Sequence, residues 1–61
     1  MEIQERIAVK AHDLFLKYGI RSVSMDEIAT QLGISKKTIY QFYADKDALV
    51  DSVIDIVVNE N

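Results

Sequence analysis

Residues 24–43 read SMDEIATQLGISKKTIYQFY, a pattern that predicts two short helices joined by a turn. Ser24 followed three residues later by Glu27 forms a capping box, which marks the start of an amphipathic helix. Gly33 ends that helix, and Ser35 is the N-cap of a second short helix. Two short helices joined by a tight glycine-containing turn are typical of a helix-turn-helix, whose second helix enters the major groove of DNA.

Apolar residues at helical spacing predict one long helix before this segment and another after it. The first covers roughly residues 2–18 and ends at Gly19, which stands in a C′-like position. Its apolar positions are Ile3, Ile7, Ala11, Leu14, Phe15 and Tyr18. Asp45 caps the last helix, which runs to about Val58. The apolar positions of that helix are Leu49, Val50, Val53, Ile54 and Val57.

The two central helices complete an all-α fold. The buried stripe of the second helix consists of Met25, Ile28, Ala29 and Leu32. The third helix covers about residues 36–42, with Ile39 directed inward and supported by Phe42 or Tyr43. We therefore predict a small four-helix, homeodomain-like helix-turn-helix bundle, in which a linking helix follows a three-helix unit.

The composition excludes several kinds of site. The 61 residues include no cysteine and one histidine, so we expect no thiolate nucleophile, no disulfide framework and no metal centre. No apolar run approaches the roughly 20 residues of a membrane span, and the N-terminus lacks a signal peptide's order. Asp51 and Asp55 share a helix face, which a solvated acidic surface explains better than catalysis. We expect a soluble, cytoplasmic protein that is not an enzyme and needs no cofactor.

The net charge of −3 is distributed unevenly along the chain. Residues 1–18 are neutral overall, residues 19–43 carry a net charge of +1, and residues 44–61 carry −4. Because the acidic residues in excess lie after the third helix, that helix can still present a thin basic face to a nucleic acid.

The outward positions of the third helix hold most of the candidate DNA-binding residues: Lys36, Lys37, Thr38, Tyr40 and Gln41. Lysine suits phosphate oxygens or guanine, threonine a phosphate or the thymine methyl, and glutamine adenine. Lys46 lies in the first turn of the fourth helix, where backbone N–H groups can help it bind a phosphate. A solvated lysine face and ordinary aromatic packing explain the same residues without DNA.

The fourth helix is more apolar than a small domain needs, because Ile56 and Val58 widen its stripe beyond one face. The surplus fits either a surface that packs against something outside this chain or a frayed end with scattered exposed aliphatic side chains. It favours an alternative function, a small helical protein-interaction module that docks a partner through this apolar face.

The motifs also occur in a specific order. An aromatic residue and a glycine end the first helix in IAVKAHDLFLKYGI (Ile7–Ile20). A serine N-cap, DEIA, a Gly-Ile-Ser turn, TIY and KDAL follow within SVSMDEIATQLGISKKTIYQFYADKDALV (Ser22–Val50). In this order, residues 3–49 resemble the N-terminal DNA-binding domain of the tetracycline-repressor (TetR) family of bacterial transcription regulators.

That resemblance implies a homodimeric repressor that binds a palindromic operator in double-stranded DNA. It implies that residues 1–61 form the DNA-binding domain, and that a larger C-terminal domain, absent from this chain, dimerises and binds a small-molecule inducer. We therefore expect this chain by itself to be a monomer that binds no inducer and binds an operator half-site weakly.

The family pattern also assigns residues, position by position. It gives operator contacts to Lys36, Thr38, Tyr40 and Lys46, and a phosphate contact to the N-cap Ser24. Lys37 stands where the family commonly has a small glycine, and Phe42 with Tyr43 replaces a frequent His-Phe pair. Base specificity is therefore not transferred by the resemblance.

Overall fold

Residues 2–59, which the computed structural model describes, form four α-helices and one short 3₁₀ turn. The helices are α1 (Ile3–Tyr18), α2 (Met25–Leu32), α3 (Lys36–Phe42) and α4 (Lys46–Asn59), and the 3₁₀ turn Ile20–Ser22 joins α1 to α2. The described residues contain no strand. The all-α fold class is confirmed, and each predicted helix is found close to its predicted bounds.

Hydrogen-bonding side chains start three of the four helices. The Ser24 Oγ accepts a hydrogen bond from the Glu27 N–H at 3.1 Å, so the serine half of the predicted capping box is formed. The Ser35 Oγ accepts from the Thr38 N–H at 3.2 Å in the same way. The Asp45 Oδ1 accepts from the Ala48 N–H at 2.9 Å and caps α4. All three N-caps were predicted from the sequence, because the signal for each is local.

Both glycines end helices, but with different backbone conformations. Gly33 is left-handed, with φ 71° and ψ 31°, and the N–H of Ile34 donates to the Ala29 carbonyl at 3.0 Å. Residues with a Cβ rarely adopt this conformation, so glycine suits the sharp turn between α2 and α3. Gly19 has φ 87° and ψ 148°, which lies outside the left-handed helical region. Gly19 therefore also has a positive φ, which favours glycine, but its ψ differs from that of an αL cap.

The core lies where α1 contacts α2, α3 and α4. The largest side chains that are fully buried there are Ile7, Val23, Ile28, Ile39 and Leu49. Each α-helix contributes one of them, and Val23 comes from the connection before α2. Burial of these side chains is the main favourable contribution to folding, since apolar burial scales with the area removed from water.

Tyr43 completes this core and resolves the choice between two aromatic residues. Its side chain is buried, whereas Phe42 is 39% exposed. The Tyr43 hydroxyl donates to the Gln4 main-chain carbonyl at 3.2 Å and lies 3.4 Å from the Ser52 Oγ. Tyr43 thus ties the end of α3 to both α1 and α4, and it is the aromatic residue that supports Ile39.

Some predicted core positions were wrong. Tyr18 is 60% exposed, because it is the last residue of α1 and projects past the packed helices. Ile54 and Val57 are also exposed, whereas Ile56 is partly buried against the core. The inward stripe of α4 follows the spacing of Leu49, Val53 and Ile56, which places Ile54 and Val57 to one side.

None of the helices within residues 2–59 has the combination of length and apolar character that crossing a membrane requires.

Replacing Ile28 with alanine should lower the free energy of unfolding by about 2–5 kcal/mol, because the change leaves a cavity in the core. Ile28→Val is the matched control and should cost only about 0.5–1.5 kcal/mol. Urea unfolding followed by circular dichroism measures both. Equal losses in the two variants would contradict the close packing of α2 against α1.

Candidate nucleic-acid interface

α3 is held to the bundle by one side of the helix and exposes the rest. Ile39 is fully buried, and Thr38 is half-buried. The exposed residues of α3 are Lys36, Lys37, Tyr40, Gln41 and Phe42. We call Lys36, Lys37, Tyr40 and Gln41 the α3 face. α3 therefore presents a mainly polar surface to solvent.

The aromatic residues of this segment divide between packing and exposure. Tyr40 is 46% exposed, so its ring and hydroxyl are accessible on the α3 face. Tyr43 is buried in the core, as described above. Aromatic packing therefore accounts for Tyr43, whereas about half of the Tyr40 side chain stays accessible to solvent.

Lys36 forms an ion pair that joins α3 to α2. Its Nζ lies 3.1 Å from the Asp26 Oδ1, and both side chains remain substantially exposed. The hydrogen bond to Asp26, and then the attraction of its negative charge, raise the pKa of Lys36 above its ordinary value. Lys36 is therefore protonated at neutral pH, but the neighbouring carboxylate offsets its charge.

Sequence reasoning missed Asp26 as part of this site. Asp26 lies in the first turn of α2, where a carboxylate is explained by the positive end of the helix dipole. Its approach to Lys36 depends on the angle between α2 and α3, which the turn at Gly33 sets. No signal in the sequence distinguishes Asp26 from Glu27 as the partner of Lys36.

Thr38 is occupied by the capping arrangement of α3. Its backbone N–H donates to the Ser35 Oγ, and its Oγ1 lies 3.1 Å from the same Ser35 oxygen. A contact from the Thr38 hydroxyl to DNA would share that oxygen with the cap of the helix. Ser35 itself is exposed beside it and belongs to the site as the residue that orients the first turn of α3.

Lys37 and Lys46 form no ion pair with another described residue, since the ion pairs within residues 2–59 are Lys17–Asp13 and Lys36–Asp26. Lys37 is exposed, whereas Lys46 is half-buried. The Asp45 carboxylate already accepts from the backbone at the start of α4. A phosphate at this helix end would meet that negative charge, so Lys37 is the better-placed cation of the two.

Ser24 and Gln41 complete the set of predicted residues. Gln41 is exposed on the α3 face, and Ser24 is exposed at the start of α2. The Ser24 hydroxyl oxygen caps the Glu27 N–H, which leaves its proton available to a phosphate oxygen. Among the described residues, no group of three or more histidine, aspartate or glutamate side chains is arranged to bind a metal ion.

Comparison with known proteins identifies a family and several relatives. The family model described as bacterial regulatory proteins, tetR family, matches residues 7–53, which include α2, the turn and α3. HTH-type transcriptional regulator SAB2452 of Staphylococcus aureus (strain bovine RF122 / ET3-1) is 41% identical over 54 residues, which are 88% of this chain and 29% of that protein. HTH-type transcriptional regulator SAUSA300_2515 of Staphylococcus aureus (strain USA300) is 42% identical over 53 residues, with shares of 87% and 29%.

The chain spans less than a third of the length of these curated relatives. No solved structure matches it.

Ser35→Ala should lower the free energy of unfolding by about 1 kcal/mol, because it removes the side-chain oxygen that caps α3. Ser22→Ala provides a control in the 3₁₀ turn, where the side chain is exposed, and should change stability little. Thermal and urea unfolding of both variants test this. Equal stability of the two variants would show that the cap contributes nothing.

Proposed function

The chain belongs to the tetR family of bacterial regulatory proteins, and on that premise we propose that α3 reads the major groove at one half of a palindromic operator. The observation that carries the proposal is the exposure of the α3 face around a single fully buried anchor, Ile39. Repression of transcription is the regulatory outcome that we propose for a longer protein containing this domain.

The α3 face provides chemically distinct contacts. Lys37 supplies a free cation for a phosphate, and Lys36 supplies a second cation that Asp26 partly offsets. The exposed Gln41 amide suits adenine, and the Tyr40 hydroxyl can reach a phosphate. Ser24 adds a phosphate contact at the start of α2. Within this proposal Thr38 and Lys46 make weaker contacts with DNA than the other residues do. The Thr38 hydroxyl already lies 3.1 Å from the Ser35 Oγ in the cap of α3. Lys46 lies next to the Asp45 carboxylate that caps α4.

The proposed complex of this chain with a half-site is weak and strongly salt-dependent. Few cations face the DNA, and residues 44–61, which lie beyond α3, carry a net charge of −4. Affinity for DNA grows with the number of phosphates that a protein neutralises, so one domain gains little. We propose that a longer protein binds as a homodimer, which doubles these contacts, and that an inducer binds outside this domain.

Lys37→Gln should reduce the slope of log affinity against log salt by about 0.9, because one phosphate contact is lost. The measurement is fluorescence anisotropy of a labelled mixed-sequence duplex across a salt series. Lys17→Gln removes the same charge from the end of α1, outside the α3 face, and should leave the slope unchanged. Absence of salt-dependent binding to any duplex, including one selected from a random library, would overturn the proposed function.

A groove between α1 and α4 supports a second function for this chain. It measures about 310 Å³ and is almost entirely apolar. Its lining consists of His12, Phe15, Leu16, Ile20, Val50, Val53, Ile54, Val57 and Val58. The relatives are more than three times as long as the region that matches this chain. We propose that further polypeptide of a longer regulator packs into this groove, which is the docking role predicted for the apolar face of the fourth helix.

The double variant Ile54→Ser, Val58→Ser should change the unfolding free energy of the 61-residue chain by less than about 0.5 kcal/mol for each site. The reason is that these side chains are 52% and 64% exposed. In a longer polypeptide that contains this domain, the same pair should lower the melting temperature, because the groove is then covered. Equal melting temperatures of the longer protein and its double variant would contradict the covering.

Sedimentation velocity of the 61-residue chain tests whether a second copy of the chain, instead of further polypeptide, occupies the groove. Concentration-dependent dimers that disappear in the double variant would assign the groove to self-association instead. Val53 is unsuitable for this test, because it is buried in the core and its replacement would destabilise the bundle.

A further inference from the structure

We propose that Asp26 weakens the binding of the α3 face to non-specific DNA, by holding Lys36 in an ion pair that a phosphate must open. This inference rests on the DNA-binding function proposed above and adds a residue that opposes it. Asp26 acts through its ion pair with Lys36, whose side chain it positions, and it makes no attractive contact with DNA.

The ion pair connects the starts of the two helices of the helix-turn-helix. Asp26 lies in the first turn of α2, and Lys36 is the first residue of α3. Their charged atoms are 3.1 Å apart, with side-chain exposures of 49% for Lys36 and 72% for Asp26. The pair is therefore open to solvent, and a DNA phosphate can reach Lys36 without any change in the bundle.

The charge balance explains the direction of the effect. A lysine paired with a carboxylate adds no net charge to the surface that approaches DNA. When Lys36 turns to a phosphate, the Asp26 carboxylate loses its partner and remains close to the negatively charged backbone. Non-specific binding depends almost entirely on phosphate contacts, so it is the binding mode that this cost affects most.

The ion pair between Asp26 and Lys36 is weak, so Asp26 reduces the affinity for DNA without preventing binding. Ion pairs between exposed side chains contribute little to stability, because water screens them and both side chains lose freedom. A phosphate therefore competes with Asp26 for Lys36 and opens the ion pair in only part of the complexes. The raised pKa of Lys36 agrees with this arrangement, since the interaction with Asp26 favours the charged lysine.

Glu27 provides a matched control within the same turn of α2. It is exposed and carries the same charge, but it forms no ion pair with a described residue. Glu27→Gln keeps a residue that is compatible with the capping box at this position. Asp26→Asn and Glu27→Gln thus remove equal charge from one helix end, and only Asp26→Asn releases Lys36.

The test is fluorescence anisotropy of a mixed-sequence duplex across a salt series, with Asp26→Asn, Glu27→Gln, Lys36→Gln and the double variant Asp26→Asn, Lys36→Gln. Asp26→Asn should raise the affinity roughly five- to tenfold near 0.1 M salt and steepen the salt slope by up to about 0.9. Glu27→Gln should give a clearly smaller gain. In the Lys36→Gln background, Asp26→Asn should gain no more than Glu27→Gln does.

An NMR titration of the Lys36 Nζ without DNA supplies an independent measurement. The pKa of Lys36 should fall towards its ordinary value in Asp26→Asn and stay unchanged in Glu27→Gln. Equal DNA affinities of these two variants, or a gain that persists without Lys36, would overturn the inference alone. Failure of every variant and of the unaltered chain to bind any duplex would overturn the proposed function and this inference with it.

Discussion

The burial of Ile39 holds α3, and with it the α3 face, against the rest of the bundle. α3 has only seven residues, too few to be stable as an isolated helix in water. Its single fully buried side chain stabilises it by roughly 1.5–3 kcal/mol, the usual value for burying an aliphatic side chain. The Ser35 cap and the buried Tyr43 hold the two ends of the same helix. Because Ile39 is the one fully buried side chain of α3, the residues of the α3 face stay exposed.

The small buried surface of α3 also explains how charges are arranged on the α3 face. A helix with one buried anchor must carry polar side chains on its other faces, and two of those in α3 are adjacent lysines. The tight turn at Gly33 brings the starts of α2 and α3 near each other, so Asp26 comes within 3.1 Å of Lys36. The geometry that exposes Lys36 therefore also supplies its ion-pair partner, whereas Lys37 forms no ion pair with a described residue.

α4 has two apolar surfaces, one that packs into the core and one that lines the groove beside α1. Leu49 and Val53 pack into the core and secure the helix-turn-helix against α1. Ile54 and Val58 lie beside that stripe on the groove, where they contribute little to the stability of this domain. An apolar surface of this kind is typical of an interaction site and not of a solvent-facing helix. The α3 face and the apolar groove thus belong to different parts of the bundle.

Sequence patterns predicted the four helices, the N-caps of α2, α3 and α4, the two glycines that end helices and the residues of the α3 face. Each of these depends on signals only a few residues apart, such as Ser24 with Glu27 or the glycine after Leu32. Three outcomes were not predictable from such local signals: Tyr43 is buried while Phe42 is not, Tyr18 is exposed, and Lys36 has a partner in Asp26. Those outcomes depend on the angles at which helices cross, and a crossing angle is set by contacts between residues distant in the chain.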